Sequence, residues 1–321
     1  MKDAGLADSS LHVDPAPGLA ATRQRVAAVL GSTAFALAPD ARSLRLLGQD
    51  RRHHRIDPCL PEGLAALGTS RDRIHAFRRP GPPFDLCLED SWSGWFLAPT
   101  LAAVPPGEAL VLVHLDDHAD LMPTLLVRDG AGDVSVPATG LGFAPGRAAC
   151  WEAAIASGAV TIGSWLTALV AAGAGPEIHV RHLHPAGSPS HQPPRRLRAG
   201  TVRHAVLPGR SFVDATGDGA ARGTWASHDD PATALADLPA GPLAVHVDLD
   251  YFVNDFNGNP GTLPLVPDRP AVLTRMDRIF DALRQTGRPV QSWIVATSPG
   301  FCSGRHWPWL LDALALRIGA P

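Results

Sequence analysis

Lysine is almost missing from this sequence, cysteine is scarce, and long apolar runs do not occur. Lys2 is the single lysine among 321 residues, while arginine, alanine, proline and glycine abound. That bias reads as genomic composition and not as function. The four cysteines (Cys59, Cys87, Cys150, Cys302) lie far apart, with no Cys-x-x-Cys and no Cys/His zinc spacing. Buried reduced thiols in a cytoplasmic setting are therefore expected, not a disulfide framework. No apolar stretch approaches ~18 residues, which excludes a membrane-spanning helix by length. Met1 to Gly5 leads into no apolar segment, so no signal peptide is expected. With 28 basic against 31 acidic residues, the net charge is −3. That leaves no basic excess to hold nucleic acid or an anionic membrane surface. The glycine-containing segments form neither a P-loop nor a strand-placed GxGxxG, so no nucleotide is implied. Without a Gly-x-Ser-x-Gly elbow, a serine hydrolase is disfavoured as well. Nothing in the chain reports an oligomeric state.

About 45% of the residues are apolar, enough for a sizeable core in one large α/β domain or two ordinary ones. Residues 1–80 read as an N-terminal extension, with helical spacing from Ala20 to Leu37 and an Arg/His-rich stretch from Arg51 to Arg55. The proline-rich run Arg79-Pro80-Gly81-Pro82-Pro83 marks a boundary, and residues 81–321 read as the main domain. Strands are expected at 84–89, 109–115, 177–184, 243–249 and 290–296. Helices are expected at 160–172, 269–285 and 307–318. Their alternation argues for an α/β fold with a mostly parallel sheet. The segment 185–200 reads as an exposed loop.

Two acidic motifs end the most apolar strands. Asp116-x-His118-x-Asp120 follows 109–115, and Asp248-x-Asp250 closes 243–249. In open α/β sheets, ligands bind beyond the carboxyl ends of the strands. Residues two apart on an extended chain share a side, so each motif can converge on one point. A lone Asp-x-Asp is often a turn or a helix cap. Four carboxylates and an imidazole at two buried strand ends instead suit a divalent ion such as Mn²⁺, better than a thiolate-seeking one. Zinc sites use fewer carboxylates. Side-by-side carboxylates repel unless a cation lies between them.

These motifs, His114-Leu-Asp116-Asp-His118-Ala-Asp120-Leu121 and His246-Val-Asp248-Leu-Asp250-Tyr-Phe252, resemble the paired metal motifs of the arginase/deacetylase (ureohydrolase) superfamily, and most of all its peptide-arginase branch. Glu89-Asp90, Ile162 to Leu166 and Ala296 to Phe301 add to the likeness, which spans about residues 84 to 304. The resemblance implies a three-layer α/β/α fold. It also implies a metal-dependent hydrolase of C–N bonds that converts peptidyl arginine to ornithine and urea, with a ribosomally made precursor peptide as substrate and partner. Carried over by position, Asp116 and Asp248 would bridge two Mn²⁺ ions, His118 and Asp250 would complete one, and Asp120 would serve the other. Asp120 would also orient the attacking water and move its proton.

One position departs from the pattern. Ser91 stands where this branch places a histidine for the first ion, and a serine hydroxyl is a weak ligand for a dication. Either Asp90 or Glu89 substitutes, or the first ion is bound loosely, or one ion is held instead of two. The rivals are thus a single-metal amide hydrolase (deacetylase) of the same fold and a degenerate, non-catalytic peptide-binding protein. Free-arginine enzymes place a late glutamate near the guanidinium, yet none of the five glutamates here follows Glu177. Asp255 and Asp268 are the aspartates left to replace it.

His114 and His246 precede the motifs by two positions each. They are expected to hydrogen-bond a liganding carboxylate, with His114 counted among the catalytic candidates. His179, His182 and His184 read as a surface strand edge, and His53-His54 as a solvated loop. Trp92 and Trp95 suit a pocket mouth or a core equally, and Arg195, Arg196 and Arg198 read as solvated.

Overall fold

The computed structural model describes residues 10–105, 107–173, 175–259 and 264–319. The chain separates into two compact units, neither continuous in sequence. The larger takes residues 51–119, 176–196 and 223 onward, and the smaller takes the stretch up to 50 with 120–175 and 197–222. Residues 1–80 are thus shared between the two.

An eight-stranded sheet dominates. In chain order its strands are β1 (Arg78–Arg79), β2 (Asp85–Cys87), β3 (Ala109–Leu115), β4 (Glu177–Leu183), β5 (Arg195–Arg198), β6 (Ala221–His228), β7 (Leu243–Asp248) and β8 (Val290–Ala296). They lie side by side as β5-β6-β4-β3-β7-β8-β2-β1. From β6 to β2 every pairing is parallel, and β1 turns back antiparallel on β2. A mixed α/β architecture on a large, mostly parallel sheet is therefore present, as expected.

The two innermost strands explain their own sequences. In β7 all six residues are buried, and in β3 all but Ala109. A parallel strand covered on both faces must be apolar at every position, not at every second one. Two helices of the larger unit sit where the periodicity puts them, α2 (Arg269–Gln285) and α3 (Trp307–Ile318), and a further one, α1 (Ser93–Ala103), was not expected. The Asp268 side chain caps α2 by accepting from Ala271 N at 3.2 Å, and Pro270 occupies its first turn. Val272, Met276, Ile279 and Leu283 are buried at helical spacing and join Val113, Val245 and Val247 of the sheet in one core. Leu310 and Leu314 of α3 enter the same core. None of the described helices is long and apolar enough to cross a membrane.

Three expectations need correcting. The helical reading of Ala20 to Leu37 holds only for Leu19–Leu30. Gly31 ends that helix at φ 54°, and Thr33–Leu37 pairs antiparallel with Ser43–Gln49. Next, the helix expected from Val160 begins only at Trp165. Ser164 Oγ accepts from Thr161 N at 3.0 Å and holds 161–164 as a turn. Third, the supposed loop 185–200 contains β5, whose Leu197 is fully buried.

The smaller unit also holds a four-stranded sheet of short segments, in the order Gly200–Val202, Phe212–Asp214, Val127–Arg128, Val134–Ser135. Strands of two or three residues are too short for periodicity to reveal. The four cysteines are free thiols, three of them buried.

Candidate metal centre

β3 and β7 run parallel with His114 level with His246 and Leu115 level with Val247. The next residue on each chain is Asp116 and Asp248, so both motifs leave the sheet side by side. Beyond the strands the backbone turns, and this corrects the extended-chain reading. Asp116 Oδ1 accepts from His118 N at 2.6 Å, and Asp248 Oδ1 accepts from Asp250 N at 3.0 Å. The same side-chain-capped turn thus closes each motif, since an aspartate readily bonds the amide two residues on. Convergence comes from these turns and not from the strand pleat.

The turns bring three side chains together. His118 Nδ1 lies 3.0 Å from Asp250 Oδ2 and 3.4 Å from Asp116 Oδ1. Oxygen and nitrogen atoms of Asp116, His118 and Asp250 all fall within 4.8 Å of one another. Burial lowers the affinity of His118 for a proton, but the Asp250 and Asp116 carboxylates outweigh it and hold the ring well above its ordinary value. Asp248 is buried nearby in sequence and sheet, and its Oδ2 accepts from Ser298 Oγ.

Beneath the carboxylates lies a row of histidines. His114 Nδ1 and His246 Nδ1 are 2.9 Å apart, and His114 Nε2 is 3.5 Å from Asp116 Oδ2. His114, Asp116 and His246 form a second group within 4.8 Å. His182 Nε2 donates to Asp116 O at 3.0 Å, and its Nδ1 meets Ser227 Oγ at 3.1 Å. Burial pushes His182 and His246 down to about 3, and burial followed by the His246 and His182 rings lowers His114 well below its usual range. All three are neutral imidazoles at physiological pH. His182 and His184 are buried, not at a surface edge as expected, because β4 is flanked by β3 and β6 on both sides.

Glu89, Asp90 and Ser91, the alternatives for the missing histidine, follow β2. Glu89 is fully buried, with Arg51 Nε 2.9 Å and His54 Nε2 3.4 Å from its Oε1. Burial raises its carboxyl above the ordinary value despite Arg51. His54 is accordingly buried and not solvated as expected, drawn in beside this carboxylate. Asp90 is also buried, and one of its carboxylate oxygens is within 4.8 Å of an Asp116 oxygen. The Ser91 hydroxyl is fully buried with no hydrogen-bond partner among the described residues. Trp92 is core, donating to His75 O at 3.0 Å with the Arg78 guanidinium 4.2 Å over its ring.

Asp120 is the first residue of its segment of the smaller unit. It is buried at φ 49°, and its Oδ2 accepts from Trp165 Nε1 at 2.7 Å. Trp165 belongs to the Ile162 to Leu166 segment. The two aspartates considered for the guanidinium both hold structural hydrogen bonds. Asp255 is buried and accepts from Leu265 N at 2.6 Å and Ser303 N at 2.7 Å, and Asp268 caps α2.

Residues that motif reading missed complete the surroundings. Asn257 Oδ1 accepts from His118 Nε2 at 2.9 Å, and Phe301 sets its ring against His118 at 5.1 Å between centroids. Asn254 Nδ2 donates to Asp117 Oδ2 at 2.8 Å. The signal available was an Asn-x-x-Asn-Gly run shortly after Asp250, of the kind that marks tight turns.

Clustered carboxylates with one exchangeable imidazole are compatible with a divalent metal ion and leave the identity of the ion open. No protein-family model and no curated protein matches this chain, so the family resemblance is carried by its own two acidic motifs.

Proposed function

We propose that this chain is a metal-dependent hydrolase of C–N bonds, arginase-like in its three-layer fold, with Mn²⁺ as the ion. The proposed reaction converts peptidyl arginine to ornithine with release of urea, on a ribosomally made precursor peptide. One observation carries the reading: His118 faces two carboxylates with the nitrogen that a ligand histidine would offer a metal. The proton held there is a cation that a divalent ion can replace, so the donor set fits the group.

In this reading Asp116, His118, Asp248 and Asp250 would hold one of two ions. A divalent ion supplies water made acidic enough to attack near neutral pH, and charge stabilisation for the departing nitrogen. The chain does the rest. Ser298 and the Asp250 amide keep the Asp248 carboxylate turned inward. His182, donating to the Asp116 carbonyl, fixes the backbone that presents Asp116. By its motif position alone, Asp120 would orient the water and pass its proton on.

A second reading, a single-metal amide hydrolase, is favoured by Ser91. Its buried hydroxyl offers little to a dication where the family pattern has an imidazole. Metal content of the purified chain, measured together with mass spectrometry of an arginine-containing peptide incubated with it and Mn²⁺, separates the two. Two ions per chain with ornithine formed supports the first reading, and one ion with amide cleavage supports the second. A chain that takes up no divalent metal sinks both.

A further inference from the structure

Asn257 sits at an exposed turn, yet its side chain is committed to a single atom of the candidate centre. Its Oδ1 can only accept, so the His118 Nε2 at 2.9 Å must carry the hydrogen. That leaves Nδ1 as the nitrogen turned toward Asp250 and Asp116. We propose that Asn257 is a positioning residue that fixes the His118 ring for metal binding through Nδ1, and that Asn254 in turn fixes Asn257. This inference rests on the metal-centre reading above.

The turn is built for such a task. Asn257 has φ 47°, in the left-handed region that asparagine tolerates better than most residues. Its amide donates to Asn254 Oδ1 at 2.8 Å, while Asn254 Nδ2 donates to Asp117 Oδ2 at 2.8 Å. Asp117 lies between Asp116 and His118 in the chain, so the brace runs from one motif to the turn and back to the motif's own histidine. The turn itself is tied down by backbone bonds from Asp255, Phe256 and Gly258 to Phe301 and Gly300. Phe301 closes the remaining side of the ring, edge-on at 76°. A ligand histidine held by an acceptor on its far nitrogen is pre-oriented and more basic, and losing such an acceptor typically costs roughly 10–100-fold in metal affinity.

Two variants isolate the acceptor from the turn. Asn257→Gly keeps the left-handed backbone and the amide bond to Asn254 but removes the oxygen. Asn257→Asp restores an acceptor. Mn²⁺ binding, followed by the electron paramagnetic resonance of the free ion, is expected to weaken roughly 10–100-fold in Asn257→Gly and to stay near the parent chain in Asn257→Asp. The visible spectrum of the Co²⁺-loaded protein should shift in the glycine variant only, because the ring is then free to turn. Parent-like affinity and spectrum in Asn257→Gly would overturn the proposal, as would an aspartate variant as weak as the glycine one. Failure of the parent chain itself to bind Mn²⁺ would refute the metal reading, and this inference with it.

Discussion

At the end of β2 the buried Glu89 faces an arginine, whereas at the ends of β3 and β7 Asp116 and Asp250 share one histidine ring. An arginine stays charged at any physiological pH, so Arg51–Glu89 is a permanent pair. A histidine holds its extra proton only while the carboxylates around it demand one. Remove that proton, put a divalent ion before the same oxygens, and the charge is still met. The first cluster is thereby a structural device and the second a site open to exchange. Arg51 and His54 engage only Oε1 of Glu89, and its buried Oε2 has no hydrogen-bond partner among the described residues.

Breaking the exchangeable side should have the largest effect. Asp116→Ala or Asp248→Ala is expected to remove both metal uptake and turnover, read as metal content after gel filtration and as product in the peptide assay. Full activity in either variant would end the mechanism. For the parent, Mn²⁺ at about 100 times its dissociation constant should add about 2.7 kcal/mol of stability. That gain should vanish with a chelator and be missing from both variants in thermal melts.

Breaking the permanent side should cost stability without touching metal content. Arg51→Ala leaves Glu89 buried without its guanidinium partner. Because the Arg51 side chain is 33% exposed, the expected loss is about 2 kcal/mol, below the figure for a fully buried pair. Denaturant midpoints measure it, and an unchanged midpoint would show that the pair is not structural. The pH dependence sharpens this. The raised folded value of Glu89 means its favourable contribution is complete below about 4.5 and is lost as pH rises through that folded value. Glu89→Gln should lack this downward slope.

The histidine row beneath the centre has the opposite sign. His182, depressed by burial to about 3, contributes fully above pH 6.5 and progressively less as pH falls toward 3. The stability advantage of the parent over His182→Gln should shrink across that window. A constant difference would mean the ring is not buried neutral.

Ser91→Ala should do least. Removing a buried hydroxyl that has no hydrogen-bond partner among the described residues changes stability by no more than about 1 kcal/mol. It should leave Mn²⁺ affinity as it was. A large loss of affinity would make Ser91 a ligand and Asp90 the bystander.

Much of this was legible beforehand. The inner strands announced themselves because burial on both faces forces apolar residues at every position, as in Leu110 to Leu115 and Leu243 to Val247. The acidic motifs stood out because charge directly after such strands is costly without a purpose. What escaped was whatever depends on partners far away in the chain. His182 looked like an edge residue because nothing local shows that β4 has neighbours on both sides. His54 looked solvated because the carboxylate that draws it in is 35 positions on, at Glu89. The short strand Thr33–Leu37 was taken into a helix because an alanine-rich run masks the stop at Gly31.

By itself, then, the amino-acid order determined which strands are innermost and where the acids leave them. Only the tertiary structure decided that Glu89 is matched by Arg51, that Asp255 accepts from Leu265 and Ser303, and that His118 presents Nδ1 beside Asn257. The reason is physical. Strand burial and turn formation are short-range properties that a few neighbouring residues encode, whereas the pairing of a charge or a ring nitrogen depends on which distant side chain the fold carries within about 3 Å of it.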